Sequence, residues 1–128
     1  MDKVARTTAN ASPSAIEKVR SIWRYDGALL RLQAMGRIRR FYYVRTVYGS
    51  PAKDGAIAFE GVREGQTFSG RAFVFAPACA PLPYSVRGSI SADETAIKLQ
   101  GSRPVPDAQC NVKSYNESEL VFVSAATP

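Results

Sequence analysis

Residues 28–45 constrain the fold more than any other stretch. Ala28, Leu30, Leu32 and Ala34 alternate with Leu29, Arg31, Gln33 and Met35, a period of two that an extended strand with unlike faces satisfies. Gly36 follows and can supply the positive φ of a tight hairpin. The next run, Arg37 to Arg45 (RIRRFYYVR), is rich in the aromatic and β-branched residues that suit a pleated surface. Two extended runs joined so closely pair antiparallel. On the second run, strict alternation places Ile38, Tyr42 and Val44 on one face, and Arg37, Arg39, Phe41, Tyr43 and Arg45 on the other. Just upstream, SIWRYDG holds the only tryptophan, Trp23, on a short strand closed by an Asp26-Gly27 turn. Its expected place is a plug at one end of the core, with ligand stacking as the lesser reading.

The rest of the chain repeats this grammar. Residues 1–11 are small and polar and read as a tail, and residues 125–128 as a second one. Ser12-Pro13 has the form of a helix cap followed by Pro at the first helical position, which predicts a short N-terminal helix to Arg20. Residues 48–55 are dense in turn formers and predict a loop. Strands are expected at 56–63 and 67–75 around Glu64-Gly65-Gln66, with Gly61 and Gly70 marking bends or close backbone approach. Pro77, Pro81 and Pro83 exclude a helix or a central strand across 76–84. Further strands are expected at 82–90, 95–100, 110–115 and 119–124, with loop at 101–109 and a turn at 116–118. About eight short strands linked by tight turns define an all-β fold. The expected architecture is a single antiparallel meander barrel or curled sandwich over residues 12–124, with a Greek-key sandwich as the alternative.

With 128 residues the chain can bury a real core as one domain. No apolar run approaches the roughly 18 residues that a membrane helix needs, so no transmembrane segment is expected. The first residues lack the apolar core of a signal peptide, which suggests a mature form carrying an added initiator Met. The net charge of +6 favours anionic partners in a general way, although arginine stacking and ion pairing within a sheet is the default reading. Arg37, Arg39, Phe41, Tyr43 and Arg45 on one strand face would interleave charge and rings as single-strand nucleic-acid binders do, yet the same pattern makes a packed face with cation–π ladders.

The chain contains no histidine. That removes the usual general base and the Ser-His-Asp and Cys-His nucleophile systems. Carboxylates remain, and Glu60 is the acid within a strand. It reads as an ion-pair partner of Arg39, Arg40 or Arg71 rather than a catalytic acid. No phosphate-binding glycine loop is present, and neither a cofactor nor a metal is expected, since there is no CxxC pair. The two cysteines, Cys79 and Cys110, lie outside the expected strand cores. An even count in such positions points to a disulfide and an oxidising compartment, against unpaired thiols in a reducing cytosol.

The order of motifs over residues 21–124 resembles a known family. IWxYxG is followed by a leucine-bearing strand, RRFYYxR, AxxFEGxREGxxxSGxAFVF, a lone Cys beside PLPYxVxG, LxGxxPxxDxxC and a final LVF strand. These are similar to a family of uncharacterised secreted all-β domains from rhizobia and related alphaproteobacteria, some of them C-terminal to caspase-like peptidase domains. The resemblance includes both cysteines and so supports their pairing. It carries over no catalytic or binding residue and implies an accessory or recognition module of the cell envelope. The expected function is therefore a periplasmic or secreted, non-catalytic binding module. Its partner would be a small amphipathic ligand entering near Trp23, or an envelope protein meeting Arg37, Arg39, Phe41, Tyr43 and Arg45. Polyanion or nucleic-acid binding through that face is the alternative, with nucleic acid disfavoured, and a carboxylate-based hydrolase comes after it.

Overall fold

A computed structural model describes residues 21–125. Eight antiparallel strands close into a barrel: β1 (Ile22–Tyr25), β2 (Ala28–Met35), β3 (Ile38–Arg45), β4 (Ile57–Glu64), β5 (Thr67–Val74), β6 (Leu82–Ile90), β7 (Ala96–Pro106) and β8 (Val112–Ser124). Each strand pairs with the next, and β8 returns to β1 through Trp23↔Ser124 and Arg24↔Val123. The meander expected from the turn spacing is thus a closed barrel. The helix expected at 12–20 and the tail at 1–11 lie outside the described residues, as do residues 126–128.

The inward positions follow the two-residue period. Leu30 on β2, Phe41 on β3, Phe59 on β4, Phe68 on β5, Ile97 and Leu99 on β7, and Phe122 on β8 are fully buried. Phe41 and Phe122 stack with centroids 4.4 Å apart, and Trp23 meets Phe41 edge-on at 5.7 Å. Rings of this size fit inside an eight-stranded barrel because glycines let the wall coil tightly. Gly61 pairs with Gly70 across β4 and β5. A Cβ at Gly61 would lie 2.1 Å from the Ser69 carbonyl oxygen, and one at Gly88 would lie 1.7 Å from that of Lys98.

Two segments depart from the expected pattern. Residues 101–106 continue β7, and 116–118 continue β8 where a turn was expected. The two strands form one long hairpin with Gly101↔Ser118, Arg103↔Asn116 and Pro104↔Tyr115 in register. Cross-strand pairing outweighs the local breaker signals. β7 pairs with β6 only over Ile97–Gln100, so Pro104 and Pro106 sit beyond that ladder, where a missing N–H is tolerated.

Successive connections alternate between the two barrel ends. The β1–β2 turn and the β3–β4, β5–β6 and β7–β8 loops share one end. There the Cys79–Cys110 disulfide ties the β5–β6 loop to the β7–β8 loop, with Cα atoms 5.6 Å apart. The expected pairing is therefore present, and this rim is termed the disulfide end below.

Gly88→Ala should lower the unfolding free energy by about 2 kcal/mol or more, whereas Ser89→Ala on the exposed side should change it by less than about 0.5 kcal/mol. Urea denaturation compares the two. The Cys79→Ser, Cys110→Ser double variant should lose roughly 3 kcal/mol by the loop-closure argument, read from the same denaturation curves.

Candidate functional site

Six residues stood out in the sequence as a candidate surface, and the barrel distributes them over separate environments. Trp23 is 3% exposed and Phe41 is 0% exposed, so both belong to the core rather than to a surface. Tyr43 packs against that core and meets the Phe75 ring at 6.0 Å. Arg37, in the β2–β3 turn, pairs with Glu64 at 2.7 Å. Arg39 donates to the backbone carbonyls of Gly36 at 2.7 Å and Ile38 at 2.9 Å, closing its own hairpin. The ring-lined face of β3 is therefore turned inward and is not available to stack nucleic-acid bases. Trp23 keeps one oddity: its buried indole Nε1 has no hydrogen-bond partner among the described residues.

Arg45 does not follow Phe41 and Tyr43 inward. Leu30 opposes Tyr43, but Leu29 opposes Arg45, so Val44 is an extra residue in β3. This bulge reverses the side-chain parity beyond it. Arg45 emerges on the outer face opposite Leu29.

Several of the remaining outer charges are paired. Glu60 lies between Arg40 and Arg71 in register, with Arg40 at 3.9 Å and a close contact to Arg71. The expected Glu60 pairing thus holds for Arg40 and Arg71, not for Arg39. At the end opposite the disulfide, Arg63 donates to both Glu94 carboxylate oxygens at 3.4 and 3.3 Å and lies over the Phe68 ring. Burial, then the nearby Arg63 charge, holds the Arg39 guanidinium below its ordinary value.

Beneath the disulfide end, three phenols gather inside the barrel. Tyr25 of β1 packs on Phe122 at 4.8 Å, Tyr43 comes from β3, and Tyr84 comes from β6. Burial raises all three above the ordinary phenol value of 10.0. After burial, Tyr84 and Asp26 raise Tyr25, while Tyr25 and Asp26 raise Tyr43. Arg103 opposes the rise in every case, joined by Ser118 at Tyr84. The result is a half-buried cluster of neutral hydroxyls with one guanidinium beside it. Tyr84 shares its face of β6 with the buried Val86 and Ile90. Arg103 was not legible, because its stretch read as loop.

The arrangement offers hydrogen-bond donors and rings rather than a nucleophile–base pair. Among the described residues no group of three His, Cys, Asp or Glu side chains converges to hold a metal ion. No helix of the described residues is long and apolar enough to cross a membrane. Comparison with protein-family models, curated proteins and solved structures returns no match.

Because the folded pKa of these phenols lies above the unfolded one, the native state retains protons that the unfolded chain gives up. Their contribution is fully present below about pH 10 and is lost as pH rises above it. Stability should therefore fall on the alkaline side, and Tyr43→Phe should reduce the slope of that fall. Denaturation midpoints taken at stepped alkaline pH, with phenolate absorbance followed in parallel, check this.

Proposed function

We propose that this protein is a non-catalytic binding module of an oxidising compartment, periplasmic or extracellular, that meets its partner with the loops of the disulfide end. The observation that carries the reading is the disulfide joining two of the loops at a single rim. Cross-linking recognition loops lowers the ordering entropy that binding must overcome. Tyr48 in the β3–β4 loop is fully exposed, and Tyr115 near the β7–β8 loop is 65% exposed. Exposed tyrosines on a stiff rim are the kind of side chain that anchors protein interfaces.

The barrel centre supports a surface mode over an enclosed apolar ligand. Phe41, Phe122, Trp23, Phe59 and Phe68 occupy it in mutual contact. An envelope or extracellular protein is the favoured partner class. A carboxylate-based hydrolase has less support, because Glu60, Glu64 and Glu94 are each engaged by an arginine.

Native mass spectrometry of protein exported to a bacterial periplasm, without reductant, tests the first half. The expected result is a mass two hydrogens below the reduced chain with no bound small molecule. A fully reduced mass overturns the compartment, and a molecule released only on unfolding overturns the filled barrel. For the second half, the Tyr48→Ser, Tyr115→Ser double variant should keep its stability within about 0.5 kcal/mol. It should also lose a partner that the unaltered protein captures from the envelope fraction of its source cells. Equal capture by both forms removes the disulfide end as the recognition surface.

A further inference from the structure

The bulge at Val44 has a chemical consequence on the outside of the barrel. It sets Arg45 opposite Leu29, and Leu29 is in turn opposite Arg24 on β1. The three residues form a row across adjacent strands, an arginine on each side of a leucine. Strands lie about 4.8 Å apart, so the two arginine Cα atoms are roughly 10 Å apart and their long side chains can converge over the leucine. Between them is a cleft of about 270 Å³ lined by Arg24, Gly27, Leu29, Arg45 and Thr46. Val47 lies close to the Gly27 edge, where a Cβ would come within 3.0 Å of its Cγ1.

The arginines of the wall divide into two sets, some paired and others, among them Arg24, Arg31, Arg45, Arg87 and Arg103, without an ion pair among the described residues. Arg37, Arg40, Arg63 and Arg71 each face a carboxylate, and Arg39 is spent on backbone carbonyls. Arg24 and Arg45 have no ion pair among the described residues. Two acids border the cleft. Asp54 accepts from the Thr46 amide at 3.1 Å and the Thr46 hydroxyl at 3.3 Å and so fixes the Thr46 rim. Asp26 precedes Gly27 in the β1–β2 turn, and neither acid forms an ion pair with Arg24 or Arg45 among the described residues.

We propose that the Arg24–Arg45 cleft is an oxyanion site that takes a single phosphate or sulfate ester carried on a sugar-sized body. A carboxylate has two oxygens and is satisfied by one guanidinium fork, whereas a phosphate or sulfate monoester has three free oxygens and can engage two forks together. Leu29 supplies an apolar bed for the body that bears the ester, and the cleft volume sets its size near one ring. Arg31 lies two residues along β2 from Leu29, on the same outer face. A longer polyanion would reach it next. The cleft adjoins the disulfide end, since Gly27 and Thr46 belong to its β1–β2 and β3–β4 connections, but it uses neither Tyr48 nor Tyr115, so separate variants test the two readings.

The test is a series of amide-shift titrations at constant ionic strength with a hexose phosphate, a hexose sulfate, the unmodified hexose and acetate. The expected result is saturable shifts clustered on Gly27, Leu29, Arg45 and Thr46 with both esters, and weaker or absent shifts with the hexose and acetate. The Arg24→Gln, Arg45→Gln double variant should weaken ester binding about tenfold or more, as loss of charged hydrogen bonds requires. Arg87→Gln, an exposed arginine of β6, should leave it unchanged. Stronger binding of either ester supports the site and names the source of the oxyanion. Shifts scattered over all exposed arginines, equal loss in Arg87→Gln, or equal binding of the bare hexose overturns it.

Discussion

The fold depends on one stack of rings. Phe41 on β3 and Phe122 on β8 lie nearly parallel across the barrel, and Trp23 meets Phe41 edge-on. Burying a side chain of this size is worth roughly 1.5–3 kcal/mol, with a further ~1 kcal/mol for favourable ring geometry. The stack fills the interior that eight strands enclose. β1 and β8 meet through only two residue pairs, so closure relies on side chains that bridge the interior as well as on backbone hydrogen bonds. Glycines on the inward face of β4, β5 and β6 give the wall the curvature that lets the rings meet.

The arginines show how the same side chain takes unlike roles within one sheet. On β3, β4 and β5 they alternate with glutamates across the ladder, which stabilises the outer face by modest amounts. On β1 and at the end of β3 they stand without carboxylate partners among the described residues. With Arg31 of β2 they place three arginines without an ion pair among the described residues on adjacent strands of a chain whose net charge is +6. The disulfide end is chemically different again, with phenols kept neutral by burial and aromatic side chains raised on the rim. The barrel therefore presents a basic flank that adjoins an aromatic rim.

Much of the architecture was legible because it is local. The alternation in residues 28–35 and 82–90, the breaks at Gly36 and Gly65, and the proline-dense 76–84 connection each report on neighbouring residues. The glycine pair Gly61 and Gly70 was readable as close approach for the same reason. The hairpin of β7 and β8 was not readable in full. Gly101, Pro104 and Asn116 are breakers by propensity, and only their partners across the ladder hold them extended. Glu60 was legible as an ion-pair partner, but the choice among three arginines depended on register.

By itself, the order of residues determined an all-β fold of about eight short strands, with a meander favoured, because periods of two and turn chemistry act over a few residues. It also made Cys79–Cys110 pairing the natural expectation. The tertiary structure decided which face of β3 is the inside, and so sent Phe41 and Tyr43 to the core and left no basic-aromatic surface there. It also decided the fate of Arg45. A single extra residue at Val44 reverses parity, and a bulge is a relation between two strands, invisible in either one alone. The grouping of Tyr25, Tyr43, Tyr84 and Arg103 likewise required closure of the barrel, which brings together strands far apart in the chain.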